Sequence, residues 1–383
     1  MTLFPTKASF FALMTLLGVM IGAGIFGLPY VVAKAGIIPG LFYFLVLGGV
    51  VLLLHLFFGE IVLRTQGKHR LIGYAQRYLG KQGKILITCS TILGISGTLL
   101  AYVILGGNFL KIIFSSFLSW SFFYWALIFW FICVFLLIFG IKLISRVEVV
   151  SNFIFFLTIF LILCFSLTKF DFQNFSLINF EHIFLPYGVI LFAFAGWTAI
   201  PEIGEILKTS QERKNYKKVI TSGSIIVMVF YILFSLVLVG VSGRDTSSQV
   251  FEGLIPFLGR KIIFFGALAG AITLADSFLV LGLYFTNTMV HDFKFQRSLA
   301  LVFSCGLPLI LFLIGLRSFI GVIGVVGTII GAIEGVVIVL IFRKAKDLGD
   351  RDPEYSLKVP GFLLYFLMGI FLLGAVIQFF YFS

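Results

Sequence analysis

Runs of about twenty mostly apolar, uncharged residues recur along the whole of this chain, and a run of that length is what a helix needs to cross the hydrocarbon core of a bilayer. Nothing else in the sequence limits the fold so tightly. Eleven runs are read, at roughly 8–33, 38–63, 85–107, 121–143, 147–168, 183–206, 218–241, 261–289, 298–315, 318–341 and 361–382, the fourth and fifth joined by a very short turn near Ser145. With 60% hydrophobic and 11% charged residues and a mean hydropathy of +1.15, a soluble domain could not hide its apolar surface from water. The expected class is an all-α polytopic membrane protein of eleven transmembrane helices, one domain over residues 1–383. The opening MTLFPTKASFF has no small-residue cleavage site, and the first run is too long for the core of a signal peptide, so it reads as the first retained span.

Lys and Arg in the loops set the orientation. With the N-terminus inside, 21 of the 28 fall on the inner side and seven on the outer. That bias accounts for the net charge of +12 as a surface facing anionic lipid, and it argues against a nucleic-acid partner. The expected location is a plasma (inner) membrane crossed many times, with the N-terminus cytoplasmic and the C-terminus outside. HRLIGYAQRYLG at 69–80 places Leu71, Tyr74, Ala75, Tyr78 and Leu79 at helical spacing, which predicts a short amphipathic helix on the inner interface. The loops at 242–258 and 342–360 are the longest breaks between runs. Cys89, Cys133, Cys164 and Cys305 lie within runs, without metal-ligand spacing, and read as small buried hydrophobes.

The first run contains helix breakers. GVMIGAGIFGLPYV carries Gly18, Gly22, Gly24, Gly27 and Pro29. Non-helical backbone survives in a membrane only where it is buried in protein or lines a wet cavity. Gly18 and Gly22 also fit a small-residue packing face, so the run alone leaves tight packing and a functional break both open. The sixth run favours the break. GVILFAFAGWTAIPEIGE at 188–205 again opens Gly-Val, passes small residues and reaches Pro201. Five spans apart, the two segments run in opposite directions. Interrupted spans at matching places in oppositely oriented five-span halves, here about 8–168 and 183–341 with an extra helix at 361–382, signal the inverted repeats of secondary transporters. Helix N-termini at such breaks suit a carboxylate, freed carbonyls suit an ammonium or a cation, and a zwitterion needs both.

IGAGIFGLPY (21–30), GEIVLRTQGKHRLIGYAQRYLGKQGK (59–84), FAFAGWTAIPEIGE (192–205) and DSFLVLGLYFTNTMVHDF (276–293) resemble amino-acid permeases of the amino acid–polyamine–organocation superfamily, nearest the amino acid/auxin and hydroxy/aromatic amino-acid branches. The resemblance covers nearly the whole chain. It implies the leucine-transporter (LeuT) fold with discontinuous helices 1 and 6. It also implies that Gly22, Ala23, Gly24 and Ile25 hold a substrate carboxylate through backbone N–H, and that carbonyls near Met20, Ile21, Phe192, Ala193 and Ala195 take its ammonium. Phe192, Phe194 and Trp197 flank the second break beside Gly196 and are read as lining the pocket or its gate.

Acids inside spans are costly and are candidates for function. Thr273, Asp276 and Ser277 stand at i, i+3 and i+4 on one helix face, about 21 Å into the eighth run for Asp276 at roughly 1.5 Å per residue. Asp276 has three open readings: sodium ligand, proton carrier, or structural acid satisfied by neighbouring hydroxyls. In sodium-coupled relatives this region shares the ion with first-span carbonyls, which the resemblance places at Gly18 and Ile21. Some proton-coupled relatives carry a Lys in the fifth span, which is missing from VEVVSNFIFFLTIFLILCF. No cofactor is expected, and the coupling ion stays open between sodium and a proton. Glu334 is a second intramembrane acid with structural and functional readings. Glu202 and Glu205 follow Pro201 and read first as capping or gating groups. Glu60 and Glu148, near inner ends, read as solvated or snorkelling. His55 is a lone structural histidine, and Asn152 and Thr158 read as packing contacts.

The function expected is secondary active transport of a neutral amino acid, probed against three alternatives. An uncoupled exchanger stays open. A channel would need a polar stripe or charged ring, and an enzyme a cluster of catalytic side chains. The sequence shows neither.

Overall fold

The computed structural model describes residues 6–139, 141–291 and 293–382, and for residues 139, 141–152, 291 and 379–382 the backbone alone. Among the described residues the regular structure is helical apart from one isolated bridge between Ser247 and Val250. Helix α1 (Lys7–Met20) starts where the Thr6 side chain accepts the Ser9 N–H at 3.2 Å, an N-cap. A 3-10 turn (Ala23–Gly27) leads into α2 (Leu28–Ala35), which opens with Pro29 in its first turn, where the missing N–H costs nothing. Then come α3 (Ile37–Arg64), α4 (Leu71–Phe114), α5 (Phe122–Phe139) and α6 (Ile141–Leu167). The second half holds α7 (Leu185–Phe194), α8 (Ala199–Ile206), α9 (Ser210–Arg213), α10 (Tyr216–Ser242), α11 (Phe251–Leu258), α12 (Arg260–His291) and α13 (Arg297–Leu313). Helix α14 (Phe319–Val325) passes through a π-helical turn (Val326–Ile330) into α15 (Gly331–Leu348), and α16 (Gly361–Phe382) closes the chain.

Among the described residues seven helical segments are long and apolar enough to cross a membrane, one of them Leu185–Ile206. The bent pair Lys7–Met20 and Ala23–Ala35 makes an eighth when counted as one span, and Phe122–Ile138, Phe153–Leu167 and Arg297–Leu313 are apolar but shorter. Helix α6 runs through Ser145, so the turn expected there is absent. Helix α5 is described to Phe139 and α6 from Ile141, and residue 140 lies outside the described residues. The loop 242–258 contains α11, and α15 extends to Leu348, well past the expected boundary.

Packing sorts most of these helices into two groups. Helices α1, α2, α3, α7, α8 and α10 pack on one another, and α4, α5, α6, α12 and α13 form the second group, with α10 also reaching α6. The stretch α14–α15 touches both, through α7 and α3 on one side and α4 on the other.

At the basic end of the bundle the amphipathic stretch 71–79 is helical and breaks from the span at Gly80, whose φ is +72°, a conformation glycine adopts without the steric cost of a Cβ. It does not simply float on lipid. Tyr74, Ala75 and Tyr78 are buried. Tyr74 packs edge-on against Phe58 at 5.5 Å, and the Tyr78 hydroxyl pairs with Thr65 Oγ1 at 2.7 Å. Glu60 departs further from expectation. It is fully buried and accepts from Arg64 Nε at 2.8 Å, the Ser356 hydroxyl at 3.1 Å and the Leu357 N–H at 2.7 Å. A buried carboxylate is tolerable when its oxygens are filled in this way. The segment 349–359 is thereby strapped over the end of α3. The strap is also tied by Tyr355 OH to Leu56 O at 2.6 Å, by Asp350 to the Gln66 N–H at 2.8 Å, and by an Asp350–Arg77 ion pair. The Glu148 and Asn152 side chains lie outside the described residues.

Candidate site at two facing helix breaks

The first break begins where the Gly22 N–H turns back to Met20 O at 3.0 Å instead of continuing the helical ladder to Gly18. Ile21 caps α1 with ψ 84°, and Gly22 is extended at φ −126°, ψ −150°. The chain leaves at a bend of 45°. As at any helix start, the leading N–H groups, here those of Ala23 and Gly24, have no partner within the turn. Ala23, Gly24 and Ile25 are buried and Gly22 is half-buried. Phe26 fixes the turn, its ring lying edge-on to Phe109, Phe155 and Phe251 at 5.1, 5.9 and 5.4 Å.

The second break is residues 195–198, between α7 and α8. Ala195 is extended (φ −61°, ψ 105°), and its N–H closes α7 on Leu191 O and Phe192 O. The two breaks touch. A Cβ on Gly24 would lie 2.8 Å from the Ala193 Cα and 3.3 Å from the Phe192 ring, while a Cβ on Gly22 would meet nothing within 4 Å. Gly24 is therefore a contact between the two interrupted helices, and Gly22 borders open space. On the far side Met20 packs under Gly196. Phe194 turns from the break into the helix group, edge-on to Phe44 at 6.2 Å, while Phe192 stays half-buried beside Gly24.

One residue binds both breaks. Tyr231 on α10 is fully buried and donates its hydroxyl to Met20 O at 2.6 Å and to Ala193 O at 3.2 Å. Two of the carbonyls expected to take an ammonium thus already share a donor. Its hydroxyl is one of several on α10, Ser224 and Ser235 among the others, so nothing in the sequence singled it out. His55 on α3 is also close, its ring carbon 3.5 Å from where a Gly196 Cβ would stand. Its Nδ1 pairs with the Ser224 hydroxyl at 3.3 Å, and its Nε2 has no partner among the described residues. Trp197 donates its indole N–H to Glu334 Oε2 at 2.6 Å.

The expected ion-coupling residues lie on two helices, Gly18 and Ile21 at the end of α1 and Thr273, Asp276 and Ser277 on α12. Thr273 and Asp276 are buried and Ser277 is half-buried on α12. The Thr273 hydroxyl is buried without a partner among the described residues, whereas Asp276 is engaged. Helix α1 packs mainly on α8 and α10. Gly18 is exposed. Glu202 and Glu205 form ion pairs at the basic end: Lys68 Nζ lies 2.7 Å from Glu205, and Arg70 lies 3.5 Å from Glu202 and 3.8 Å from Glu205. Glu205 and Lys68 line a cavity of about 400 Å³ together with Leu63, Thr65, His69, Tyr74 and Gly204.

The model of the tryptophan/tyrosine permease family matches residues 6–378. Among solved structures, the crystal structure of MhsT in complex with L-phenylalanine aligns with a TM-score of 0.59 at 15% identity, covering 99% of this chain and 99% of that one. At that identity the likeness is one of fold. No curated protein matches this chain in sequence.

Proposed function

This chain belongs to the tryptophan/tyrosine permease family, and on that premise we propose that it is a secondary active transporter that carries an aromatic amino acid by alternating access. The observation that carries the reading is the contact between the two breaks, Gly24 against Ala193, with the leading N–H groups of a helix start on one side and the carbonyl end of a helix on the other. Dipole ends of that kind, facing each other within hydrocarbon, match a carboxylate and an ammonium on one small molecule. The L-phenylalanine held by MhsT and the family's description both support an aromatic side chain. In this reading the eleven runs are two inverted five-span repeats of the LeuT type plus one extra helix. The N-terminus and the strapped, basic end face the cytoplasm, and the C-terminus lies outside.

The carboxylate is assigned to the N–H groups of the Gly22–Ile25 stretch, with Gly22 giving the open approach. The ammonium is assigned to carbonyls among Met20, Ile21, Phe192, Ala193 and Ala195, sharing two of them with Tyr231. Transport is coupled to a cation, sodium or a proton. The unpartnered Thr273 hydroxyl next to Asp276 supports a role for that face, since hard oxygen donors suit such ions. Gly18 and Ile21 are assigned to the same ion through their carbonyls.

The test is uptake of labelled L-phenylalanine, L-tyrosine and L-tryptophan into proteoliposomes, with sodium and pH gradients imposed separately. Accumulation above equilibrium on one gradient is expected. Exchange without accumulation on either would replace coupled transport with exchange. Asp276→Asn is expected to abolish the dependence on the driving ion, and an unchanged sodium and pH response would clear Asp276 of coupling.

A further inference from the structure

Glu334 is a buried acid tied to the second break, and nothing in the carboxylate and ammonium assignments uses it. It lies on α15, just past the π-helical turn, and is 8% exposed. Its carboxyl accepts from Trp197 Nε1 at 2.6 Å and from the Ser90 hydroxyl at 3.4 Å. Both donors are neutral. Many of the charged and titratable groups on the elements packed around it have other partners, and Lys81, Lys344 and Asp347 are exposed. Glu60 and Arg64 of α3 pair with each other, and His55 bonds Ser224. Arg343 reaches Tyr365 of α16, and Lys346 reaches Leu357 O. Cys89 of α4 is exposed, and Glu202 and Glu205 of α8 face Lys68 and Arg70. Among the described residues no ion pair reaches Glu334.

Its two donors belong to parts of the molecule that pack differently. Ser90 is on α4, in the second helix group. Trp197 sits in the loop between two half-helices with different attachments. Helix α7 is locked to the π-helical turn, where Gly188 and Gly327 bring the two backbones so close that a Cβ at either would strike the other chain. Helix α8 instead packs on α1 and α3. Any shift of α8 against α14–α15 therefore turns on residues 195–198 and pulls at the Trp197 bond.

We propose that Glu334 is a proton-binding site of the transport cycle, which takes up a proton when movement of the second break withdraws the Trp197 N–H and gives it back when that bond re-forms. A carboxylate deep in a membrane protein, with no cation beside it, depends on its hydrogen-bond donors. When one leaves, the charge is neutralised by a proton from water on one side. When the donor returns, the proton is released to water on the other. Only the O–H bond forms and breaks, and the imposed proton gradient supplies the driving force. π-helical turns of this kind are frequent at functional sites. The inference rests on the transporter reading above and, for a cycle driven by protons, adds a proton-binding group to the ion-coupling face tested at Asp276.

The experiment compares wild type, Glu334→Gln and Ser90→Ala in proteoliposomes, with labelled L-phenylalanine, L-tyrosine or L-tryptophan. Counterflow at equal pH is measured beside accumulation on an inward proton gradient. Glu334→Gln keeps an acceptor for Trp197 and is expected to retain counterflow while losing proton-driven accumulation. Ser90→Ala removes the weaker donor and is expected to move the pH midpoint of uptake, which a merely structural serine would leave in place. Proton-driven accumulation by Glu334→Gln would overturn the proposal. So would wild-type counterflow with no response to a proton gradient, which would leave the transporter reading standing. Should Glu334→Gln fail to fold, an unmoved pH midpoint in Ser90→Ala overturns it. No counterflow of any of the three by wild type would instead overturn the transporter reading itself.

Discussion

Single residues at the breaks divide into those the substrate would meet and those the fold needs. Gly22 and Gly24 look alike in the sequence, both glycines in a Gly-x-Gly step, and the resemblance assigns both to a substrate carboxylate. The packing sets the two apart. Gly24→Ala places a Cβ against the Ala193 backbone and is expected to cost about 1–3 kcal/mol through overpacking, seen as a lower melting temperature in detergent. Gly22→Ala points into open space, so the melting temperature should hold while affinity for the aromatic amino acid falls. Equal melting temperatures for the two variants would contradict this division. Glu60 was misread for a related reason: an acid near a helix end is solvated unless something covers it, and the cover comes from residues nearly three hundred positions later. Tyr231 was invisible because the carbonyls that need it exist only once both helices have broken.

At the scale of elements, the breaks themselves were legible. Clustered Gly with a following Pro is unfavourable in a continuous span, and two such clusters five spans apart mark interruptions at residues 21–22 and 195–198. Element ends were less so, because apolar runs do not say where a helix stops outside the hydrocarbon. The amphipathic pattern at 69–80 gave the helix but not its seat, since the same face serves lipid or protein. The strap 349–359 shows no periodicity and is defined by its contacts. Removing one partner of a buried charged pair costs on the order of 3 kcal/mol, so Glu60→Ala should free the strap. Limited proteolysis would then cut between Asp350 and Pro360 in the variant and spare the wild type, and equal resistance in both would show the strap is held elsewhere.

For the molecule as a whole, the division into two helix groups bridged by α14–α15 is a property of packing and is not spelled out in any one stretch of sequence. The ion pairs at the basic end join partners about 130 residues apart and were equally hidden. Lys68, Arg70, Glu202 and Glu205 are each at least one-third exposed, so each pair should contribute no more than about 1 kcal/mol to stability. Their expected effect is on motion. Glu202→Gln with Glu205→Gln should leave the melting temperature nearly unchanged and speed amide hydrogen exchange over residues 199–206, and unchanged exchange would assign these pairs no part in holding α8. The strap sharpens that contrast. Its knots bind α3, the stretch 71–79 and α15 into one edge, so any doorway at this end would have to swing from the other post, with α8 and α1 as its leaf.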